Sequence, residues 1–319
     1  MSLNRRQFLA SSSVALAASA LDWRALLGQT VQDGVAPWQS ALTLVRGSVG
    51  TFTGQGGTIG WHIDRKSVVV IDSQFPASAK TCLDAVNERT TGRALDFLVN
   101  THHHGDHTGG NGVFRPVAKR ILAQANVPRL QREAAARAAQ AAQAAPPGQP
   151  PGQPPQAEPV VADTTFEKSW REPVGEEFMA LKHYGAAHTG GDSVTTFEKA
   201  NVAHVGDLVF NRRHPVIDRP GGANITNWIK VLEGTVADHD RDTIFIFGHA
   251  GPAFLATGGQ ADLLYMRDYL TALLGFVRGE MKSGKSKDVI VKIAEPLPGF
   301  PDHGPLIPRV LTAAYEELE

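Results

Sequence analysis

The run His102-His103-His104-Gly105-Asp106-His107 brings four imidazoles and one carboxylate into six residues of a 319-residue chain that has 12 histidines in all. The apolar segment 95–100 precedes the run and predicts a buried strand. The run is therefore expected in the loop at the carboxyl end of that strand, where α/β folds aim side chains from a rigid sheet. A polar surface loop with incidental histidines is the alternative interpretation.

The spacing within this run suits metal binding. Residues two apart on an extended loop point to the same side, so His102 and His104 can chelate one metal ion. Asp106 and His107 follow at once and can turn toward a second ion. Imidazole nitrogen and carboxylate oxygen suit zinc at about 2.0–2.2 Å, and they also accept iron or manganese. Cys82 is the only cysteine, so a cysteine-rich zinc site and an intramolecular disulfide are excluded.

The rest of the chain alternates strand-like and helix-like patterns in two successive halves, which predicts sheets covered by helices. The predicted strands are residues 41–47, 49–53, 58–64, 67–72, 95–100, 178–183, 193–197, 202–205 and 243–247. The predicted helices are residues 77–89, 123–145, 225–237, 260–282 and 307–319. The glycine-rich segment 53–57 is either a plain turn or a loop that covers the substrate.

Two segments are expected to lie outside the folded core. Residues 1–20 contain the twin-arginine pair Arg5-Arg6, a short apolar stretch and an Ala18-Ser19-Ala20 cleavage pattern. They predict a removed export signal, export through the twin-arginine machinery and a periplasmic or otherwise exported protein. A basic, frayed terminus is the alternative. No stable membrane span is expected, because the apolar stretch is too short.

Residues 21–319 are expected to form one domain with a helical C-terminal segment. It would be interrupted at about 145–158 by a Pro/Gly/Gln-rich insertion that forms an extended surface excursion or, alternatively, a proline-rich docking peptide. Hydrophobic residues make up 42% and charged residues 20% of the chain, as in ordinary soluble proteins. The formal net charge of −1 and the lack of a basic stripe disfavour nucleic acid as a partner.

The chain resembles the metallo-β-lactamase-fold hydrolases over residues 42 to about 250. Five features in the expected order carry this resemblance: the apolar strand that ends in Asp72, the run His102–His107, His188 in Gly185-Ala186-Ala187-His188-Thr189-Gly190, Asp207 in Val205-Gly206-Asp207-Leu208, and His249 in Phe247-Gly248-His249. The resemblance implies an α/β fold of the four-layer αββα sandwich type, with the metals at one edge of the sheets.

The resemblance also implies seven metal ligands and one supporting residue. One ion would take His102, His104 and His188, and the other would take Asp106, His107 and His249. Asp207 would bridge both ions, and Asp72 would orient a ligand without binding metal itself.

Two neighbouring cations predict hydrolytic chemistry. Together they lower the pKa of bound water towards neutrality, so that a metal-held hydroxide can attack a carbonyl carbon. Asp106 is the expected catalytic residue, because it can orient the hydroxide and take its proton. The cofactors are therefore expected to be two divalent ions, zinc first and iron or manganese as alternatives.

The ligand types narrow the function to hydrolysis of a small-molecule ester, lactone or thioester. Relatives with a di-iron redox centre carry an acid where this chain has His104, which favours hydrolysis over electron transfer. Dedicated β-lactamases carry a cysteine or a small residue at the position of Asp207, whereas glyoxalase II-like thioesterases, lactonases and RNA-processing nucleases carry aspartate. Export argues the other way, so hydrolysis of β-lactam antibiotics is the alternative.

Two further functions are disfavoured. A nuclease is disfavoured by the neutral charge and the export signal, and a non-catalytic binding module by the presence of all seven ligands. Among the other histidines, His103 is expected to fill the loop, and His183, His204 and His239 to be surface or core residues. His214 is a candidate for the mouth of the substrate site.

Overall fold

The computed structural model describes residues 41–144 and 158–319. The predicted export signal and residues 145–157 of the proline-rich insertion lie outside these described residues.

The first sheet has seven strands, which follow each other in chain order. The strands are β1 (Thr43–Arg46), β2 (Val49–Phe52), β3 (Ile59–Ile63), β4 (Val68–Ile71), β5 (Leu95–Asn100), β6 (Ala118–Gln124) and β7 (Thr164–Phe166). The pairs from β1 to β4 are antiparallel, and the pairs from β4 to β7 are parallel. Because β5 lies inside the parallel part with both neighbours paired, its carboxyl end is a fixed platform for the residues that follow it.

The second sheet has six strands in the order β13-β12-β11-β10-β9-β8. The strands are β8 (Ser169–Val174), β9 (Glu177–Lys182), β10 (Val194–Phe197), β11 (Val202–Asn211), β12 (Ile244–Ala250) and β13 (Thr257–Gly258). Strands β11 and β12 are parallel, and the other pairs are antiparallel. The register between β11 and β12 shifts around Gly206, next to Asp207.

Eight α-helices accompany the sheets in the described part of the chain. They are α1 (Pro76–Thr90), α2 (Gly105–Thr108), α3 (Asn111–Phe114), α4 (Val127–Ala144), α5 (Ile225–Ala237), α6 (Gln260–Lys282), α7 (Lys287–Ile290) and α8 (Pro308–Leu318). None of the helices within the described residues has the length and apolar character needed to cross a bilayer.

Three buried clusters show how the layers stack. Alternation along β4 sends Val69 into a cluster that both sheets share and Val70 into a cluster with Val86 of α1. On the far side of the second sheet, Phe245 packs in a third cluster with Trp228 of α5 and side chains of α6 and α8. The order is therefore helix, sheet, sheet, helix, and the predicted αββα sandwich is confirmed.

Several predicted element boundaries were wrong. Residues 123–145 were expected to be one helix, but Ala123 and Gln124 belong to β6, and α4 begins at Val127. Parallel pairing with β5 and β7 overrides the helix preference of alanine at these positions. The predicted strand 202–205 extends to Asn211, so that Asp207 lies inside β11 and not at its end. Strands β6, β7, β8 and β13 were not predicted.

Candidate metal centre

The histidine run follows β5 directly, and its backbone changes conformation half way. His104 is extended (φ −65°, ψ 149°) and caps the single helical turn of α2, which contains Asp106 and His107. The expectation of an extended loop therefore holds for His104 but is wrong for residues 101–103, where the backbone bends, and a helical turn aims Asp106 and His107.

The first group of candidate ligands has members from both sheets. His188, in the loop between β9 and β10, has its Nε2 3.0 Å from Nδ1 of His104 and 3.4 Å from Oδ2 of Asp207. The Nε2 atom of His102 lies 3.8 Å from the same Asp207 oxygen. These four side chains form one cluster that can hold a metal ion.

The second group lies on the other side of Asp207. His249 of β12 places its Nε2 3.1 Å from Oδ2 of Asp106 and 3.4 Å from Nε2 of His107. The Asp207 carboxylate reaches this group as well, with Oδ1 3.0 Å from Nε2 of His107 and Oδ2 3.4 Å from Nε2 of His249. Asp207 is thus the side chain in contact with both groups, as a bridging ligand requires.

The spacing of these donor atoms fits metal binding. Two ligands that each lie about 2.0–2.2 Å from a tetrahedral ion are about 3.3–3.6 Å apart, and the distances above run from 3.0 to 3.8 Å. Within the described residues, the buried atom His102 Nε2 has no hydrogen-bond partner, and Asp207 Oδ1 meets Nε2 of His107 at 3.0 Å but without the angles of a hydrogen bond. Since buried polar atoms are normally satisfied, both atoms are suited to a cation between them.

The outer ring nitrogens of four of these histidines each meet an oxygen atom. His188 Nδ1 donates to the carbonyl oxygen of Val216 at 2.7 Å, and His102 Nδ1 lies 3.0 Å from Oγ1 of Thr101. His104 Nε2 lies 3.0 Å from Oδ2 of Asp218, and His107 Nδ1 lies 2.7 Å from Oδ2 of Asp72. This pattern leaves the inner nitrogen of each ring free to bind a metal.

Asp72 supports the site without belonging to either ligand group. Its carboxylate accepts hydrogen bonds from the backbone N–H and the hydroxyl of Thr101, both at 2.8 Å, besides contacting His107. Its backbone is in the left-handed region, with φ 64°, which costs about 1–3 kcal/mol in a non-glycine residue. The geometry matches the expected orienting role.

Asp218 was missed by the sequence analysis. Its Oδ2 lies 3.0 Å from Nε2 of His104 and 3.2 Å from Nε2 of His103, which is itself buried. The segment Asp218-Arg219-Pro220-Gly221 has the composition of an ordinary turn, so the sequence carries no signal of this contact. His103 was expected to be loop filler, but its ring contacts the carboxylate that also holds His104.

The electrostatics of the two groups differ. Burial lowers the pKa of His188 to about 3 and the pKa of His102 well below its usual value, so both rings are neutral and offer lone pairs. Burial also disfavours charge on His249, but Asp207 and Asp106 outweigh it and raise the pKa of His249 to about 9. The pKa of His107 is likewise raised by Asp207, Asp72 and Asp106. The second group therefore stabilises positive charge, as a cation site does.

A cavity of about 550 Å³ opens onto the two groups. Its lining consists of Gly56, Phe75, His104, Gly105, Asp106, Arg213, Val216 and His249. His214, the candidate for the mouth of the substrate site, has a buried ring that hydrogen-bonds with Oη of Tyr269 at 2.7 Å and with the carbonyl of Pro305 at 2.8 Å. It lines a neighbouring cavity and not the one at the metal centre. The neighbouring Arg213 faces the cavity instead.

Two glycines allow close packing around the ligands. A Cβ at Gly57, in the glycine-rich loop between β2 and β3, would lie 2.1 Å from the His107 ring. A Cβ at Gly248 would lie 1.9 Å from Oδ1 of Asp207. The loop is fixed by a 3.0 Å hydrogen bond from Gly57 N–H to the Asp106 carbonyl, and Gly56 lines the cavity. The loop therefore borders the site and is more than a plain turn.

The three histidines that were predicted to be surface or core residues make hydrogen-bond contacts outside the two ligand groups. His204 is a core residue whose Nε2 lies 3.0 Å from the carbonyl of Thr58. His183 contacts the carbonyl of Asp192, and His239 contacts Thr196 and the carbonyl of Thr235.

Residues 59–249, more than half of the chain, match the family model of the Metallo-beta-lactamase superfamily. The chain belongs to this superfamily. Its members are metal-dependent hydrolases, and the family predicted from the five motifs is thereby confirmed.

The similar proteins include one sequence relative and several solved structures. A hydroxyacylglutathione hydrolase from Thiobacillus denitrificans is 38% identical over 78 residues, which are 22% of this chain and 28% of that protein. A metallo-beta-lactamase from Pontibacter korlensis superimposes with a TM-score of 0.56 at 16% identity, covering 72% of this chain and 98% of the other.

A stereoselective inverting sec-alkylsulfatase from Pseudomonas sp. gives a TM-score of 0.63 at 18% identity. The match covers 86% of this chain and 50% of the sulfatase. At these identities the structural likeness shows the fold alone. The chain spans less than a third of the sequence relative and half of the sulfatase.

Proposed function

We propose that this protein is an exported, binuclear metal-dependent hydrolase that cleaves a carbonyl-type bond in an ester, a lactone or a thioester. The observation that carries the proposal is the position of Asp207 between the two ligand groups, 3.4 Å from both His188 and His249. His102, His104, His188 and Asp207 would hold one ion, and Asp106, His107, His249 and Asp207 the other. Zinc is the proposed metal, because histidine and carboxylate ligands suit it.

Two bound divalent ions would supply an activated water at neutral pH and a Lewis acid for the carbonyl oxygen. The protein itself supplies Asp106, whose carboxylate is partly exposed at the cavity. Although burial disfavours the charge, His107 and His249 lower the pKa of Asp106 to about 2, so it is ionised at neutral pH.

Asp106 would accept a hydrogen bond from the attacking water and take its proton as the water oxygen bonds to the carbonyl carbon. It would return that proton to the leaving oxygen or sulfur as the C–O or C–S bond breaks. The products are a carboxylic acid and an alcohol or thiol, so no further reactant is required.

A substrate panel tests this proposal. Zinc-loaded protein would be assayed with a γ-lactone, an acylglutathione thioester, a phenyl ester, a chromogenic cephalosporin and a secondary alkyl sulfate. The thioester, the cephalosporin and the sulfate are chosen because the similar proteins include a hydroxyacylglutathione hydrolase, a metallo-beta-lactamase and a sec-alkylsulfatase, respectively. We expect hydrolysis of at least one ester, lactone or thioester, and its loss in Asp106→Asn. Hydrolysis of the cephalosporin or the sulfate alone would contradict the proposal.

Export is proposed from Arg5 and Arg6 together with the cleavage pattern at residues 18–20. Cell fractionation tests it. We expect the protein in the periplasm, and its retention in the cytoplasm in the double variant Arg5→Lys and Arg6→Lys. Equal distribution of the two forms would refute export by this route.

A further inference from the structure

A second cavity of about 520 Å³ lies beside the metal-centre cavity and shares Arg213 with it. Residues 212–214, which follow β11, and residues 250–252, at the end of β12, form one wall. Residues of the C-terminal segment 302–309 form the other. The C-terminal wall lies beyond residues 59–249, the part of the chain that matches the superfamily. Most residues that line this cavity therefore lie outside the part of the chain that matches the superfamily model.

Positive charge dominates the lining of this cavity. Arg212, Arg213 and Arg309 line it, and Asp302 is the carboxylate among its lining residues. Arg212 is neutralised by Asp262, whose Oδ1 lies 3.1 Å from its Nη1. Arg213 and Arg309 are both exposed, and neither forms an ion pair among residues 41–144 and 158–319. Two guanidinium groups thus remain free to face a ligand, against one carboxylate.

The backbone at Arg212 is held in a left-handed conformation with φ 54°. The Arg212 guanidinium stacks on the Tyr265 ring at 3.6 Å and donates to Oδ1 of Asn211 at 2.9 Å. Left-handed backbone costs free energy in a non-glycine residue and persists where surrounding contacts enforce it. Here those contacts anchor Arg212 and fix the point from which Arg213 extends.

The other residues that line this cavity add apolar surface and no charge. Ala250, Pro252 and Ile307 contribute apolar surface. Burial lowers the pKa of His303 to about 3, so this ring adds no charge at neutral pH. A lining of this kind suits an organic anion with a short hydrocarbon spacer better than a fully hydrated inorganic ion, because the apolar walls give the spacer contact.

We propose that this cavity is a subsite for a carboxylate group of the substrate, which Arg213 and Arg309 bind while the scissile bond lies at the metal centre. Arg213 lines both cavities and therefore connects the two parts of one substrate. Guanidinium groups bind carboxylates through paired, charge-assisted hydrogen bonds. The proposal rests on the proposed hydrolase function for its kinetic test, but not for its binding test.

The kinetic test compares two esters that differ only in charge: 4-nitrophenyl pentanoate and mono-4-nitrophenyl glutarate. We expect kcat/KM to favour the glutarate ester at least about tenfold, mainly through a lower KM, as for a charge-assisted contact. Arg213→Gln should remove most of this preference and Arg309→Gln part of it. Arg278→Gln, which neutralises an exposed arginine on α6 without an ion pair within the described residues, serves as the matched control and should keep the preference.

The binding test uses glutarate and metal-free protein in a calorimeter, so that it does not depend on activity. We expect glutarate to bind, and the double variant Arg213→Gln and Arg309→Gln to bind it at least about tenfold more weakly, with its melting temperature unchanged. Sulfate and phosphate are the comparison anions. If either binds as tightly as glutarate, or if wild type binds no glutarate, the carboxylate subsite is overturned. If glutarate binds but no ester, lactone or thioester is hydrolysed, the hydrolase proposal fails while the subsite stands.

Discussion

Asp207 decides whether the two ligand groups act as one centre. Its Oδ1 faces His107 and its Oδ2 faces His188 and His249, so it contacts both groups. The first cluster includes Asp207, whereas Asp106, His107 and His249 form a possible metal-binding cluster without it. We expect Asp207→Ala to lower the bound metal from two ions to one and kcat/KM by more than about a hundredfold. Metal analysis of the purified variant and steady-state kinetics measure the two effects.

His103→Ala is the comparison for this prediction. The His103 ring contacts Asp218 and belongs to neither proposed ligand set, so both ions and most of the activity should remain. Equal losses in the two variants would contradict the ligand assignment.

Asp218 is expected to orient His104 for metal binding. Its pKa is held well below the usual range, because His103 and His104 outweigh the effect of burial, and the carboxylate accepts the outer N–H of His104. Asp218→Asn should weaken zinc binding about 10- to 100-fold, with activity recovered at saturating zinc. A zinc titration followed by activity measures this shift. Asp240→Asn changes an exposed carboxylate that lies before β12, at the opposite end of that strand from His249, and should leave the titration curve in place. A curve that also stays in place for Asp218→Asn would count against the orienting role.

Asp207 was predicted from the sequence as a site residue, whereas Asp218 was not. Asp207 could be predicted as a ligand because it lies within a motif, Val205-Gly206-Asp207-Leu208, that belongs to an ordered set. Asp218 could not, because it lies in a turn-like segment and meets His104 only through a contact 114 residues away along the chain. Arg213 was overlooked for a similar reason. The direction of the backbone after β11 decides which side chain of Arg212, Arg213 and His214 faces the cavity at the metal centre, and the sequence does not show that direction.

At the scale of elements, the loop between β2 and β3 packs directly on the metal centre. Since a Cβ at Gly57 would overlap the His107 ring, Gly57→Ala should displace His107 and lower both zinc affinity and the melting temperature of the loaded protein. The control is Gly275→Ala on α6, where a Cβ meets no atom within 4 Å. This control should keep or slightly raise the stability, because alanine favours helix more than glycine does. Unchanged zinc affinity in Gly57→Ala would refute the close packing.

The C-terminal segment is expected to make stability depend on pH through His303. Its ring is buried and stacks on Tyr269 of α6, with centroids 4.2 Å apart. Burial, His214 and Arg212 lower its pKa to about 3, whereas the unfolded value is about 6.5. The unfolded state therefore binds more protons between these values, and the folded state loses stability as the pH falls below about 6.5.

His303→Phe keeps an aromatic ring and removes this titration. The difference in unfolding free energy between wild type and variant should therefore shift by up to about 2 kcal/mol in favour of the variant between pH 7.5 and pH 5. Denaturant unfolding at the two pH values, in buffers without polycarboxylates, measures it. A difference that does not change with pH would show that His303 does not titrate as described.

Elements with a strong local pattern could be predicted closely, and elements defined by pairing could not. Strand β5 has the predicted bounds, as have α5 and α6. Strand β6 was missed because its alanine and polar residues favour helix until β5 and β7 pair with it on both sides. Strand β8 carries alternating exposed residues and Pro173, which weaken the local strand signal although it pairs along its full length with β9.

At the scale of the whole molecule, the candidate centre joins the two sheets. His102, His104, Asp106 and His107 follow β5 of the first sheet, whereas His188, Asp207 and His249 belong to the second. Ions that bind only this folded arrangement stabilise it by mass action, by about 4 kcal/mol when the free metal is a thousand times its dissociation constant. The proposed cofactor would therefore be part of the fold as well as of the reaction.

One chain is proposed to bind two divalent ions in this centre. The most direct measurement is elemental analysis of protein that has been stripped with a chelator, reloaded with zinc and freed of excess metal by gel filtration. We expect two zinc ions per chain and a melting temperature well above that of the stripped protein. One ion or fewer per chain, with an unchanged melting temperature, would contradict the account.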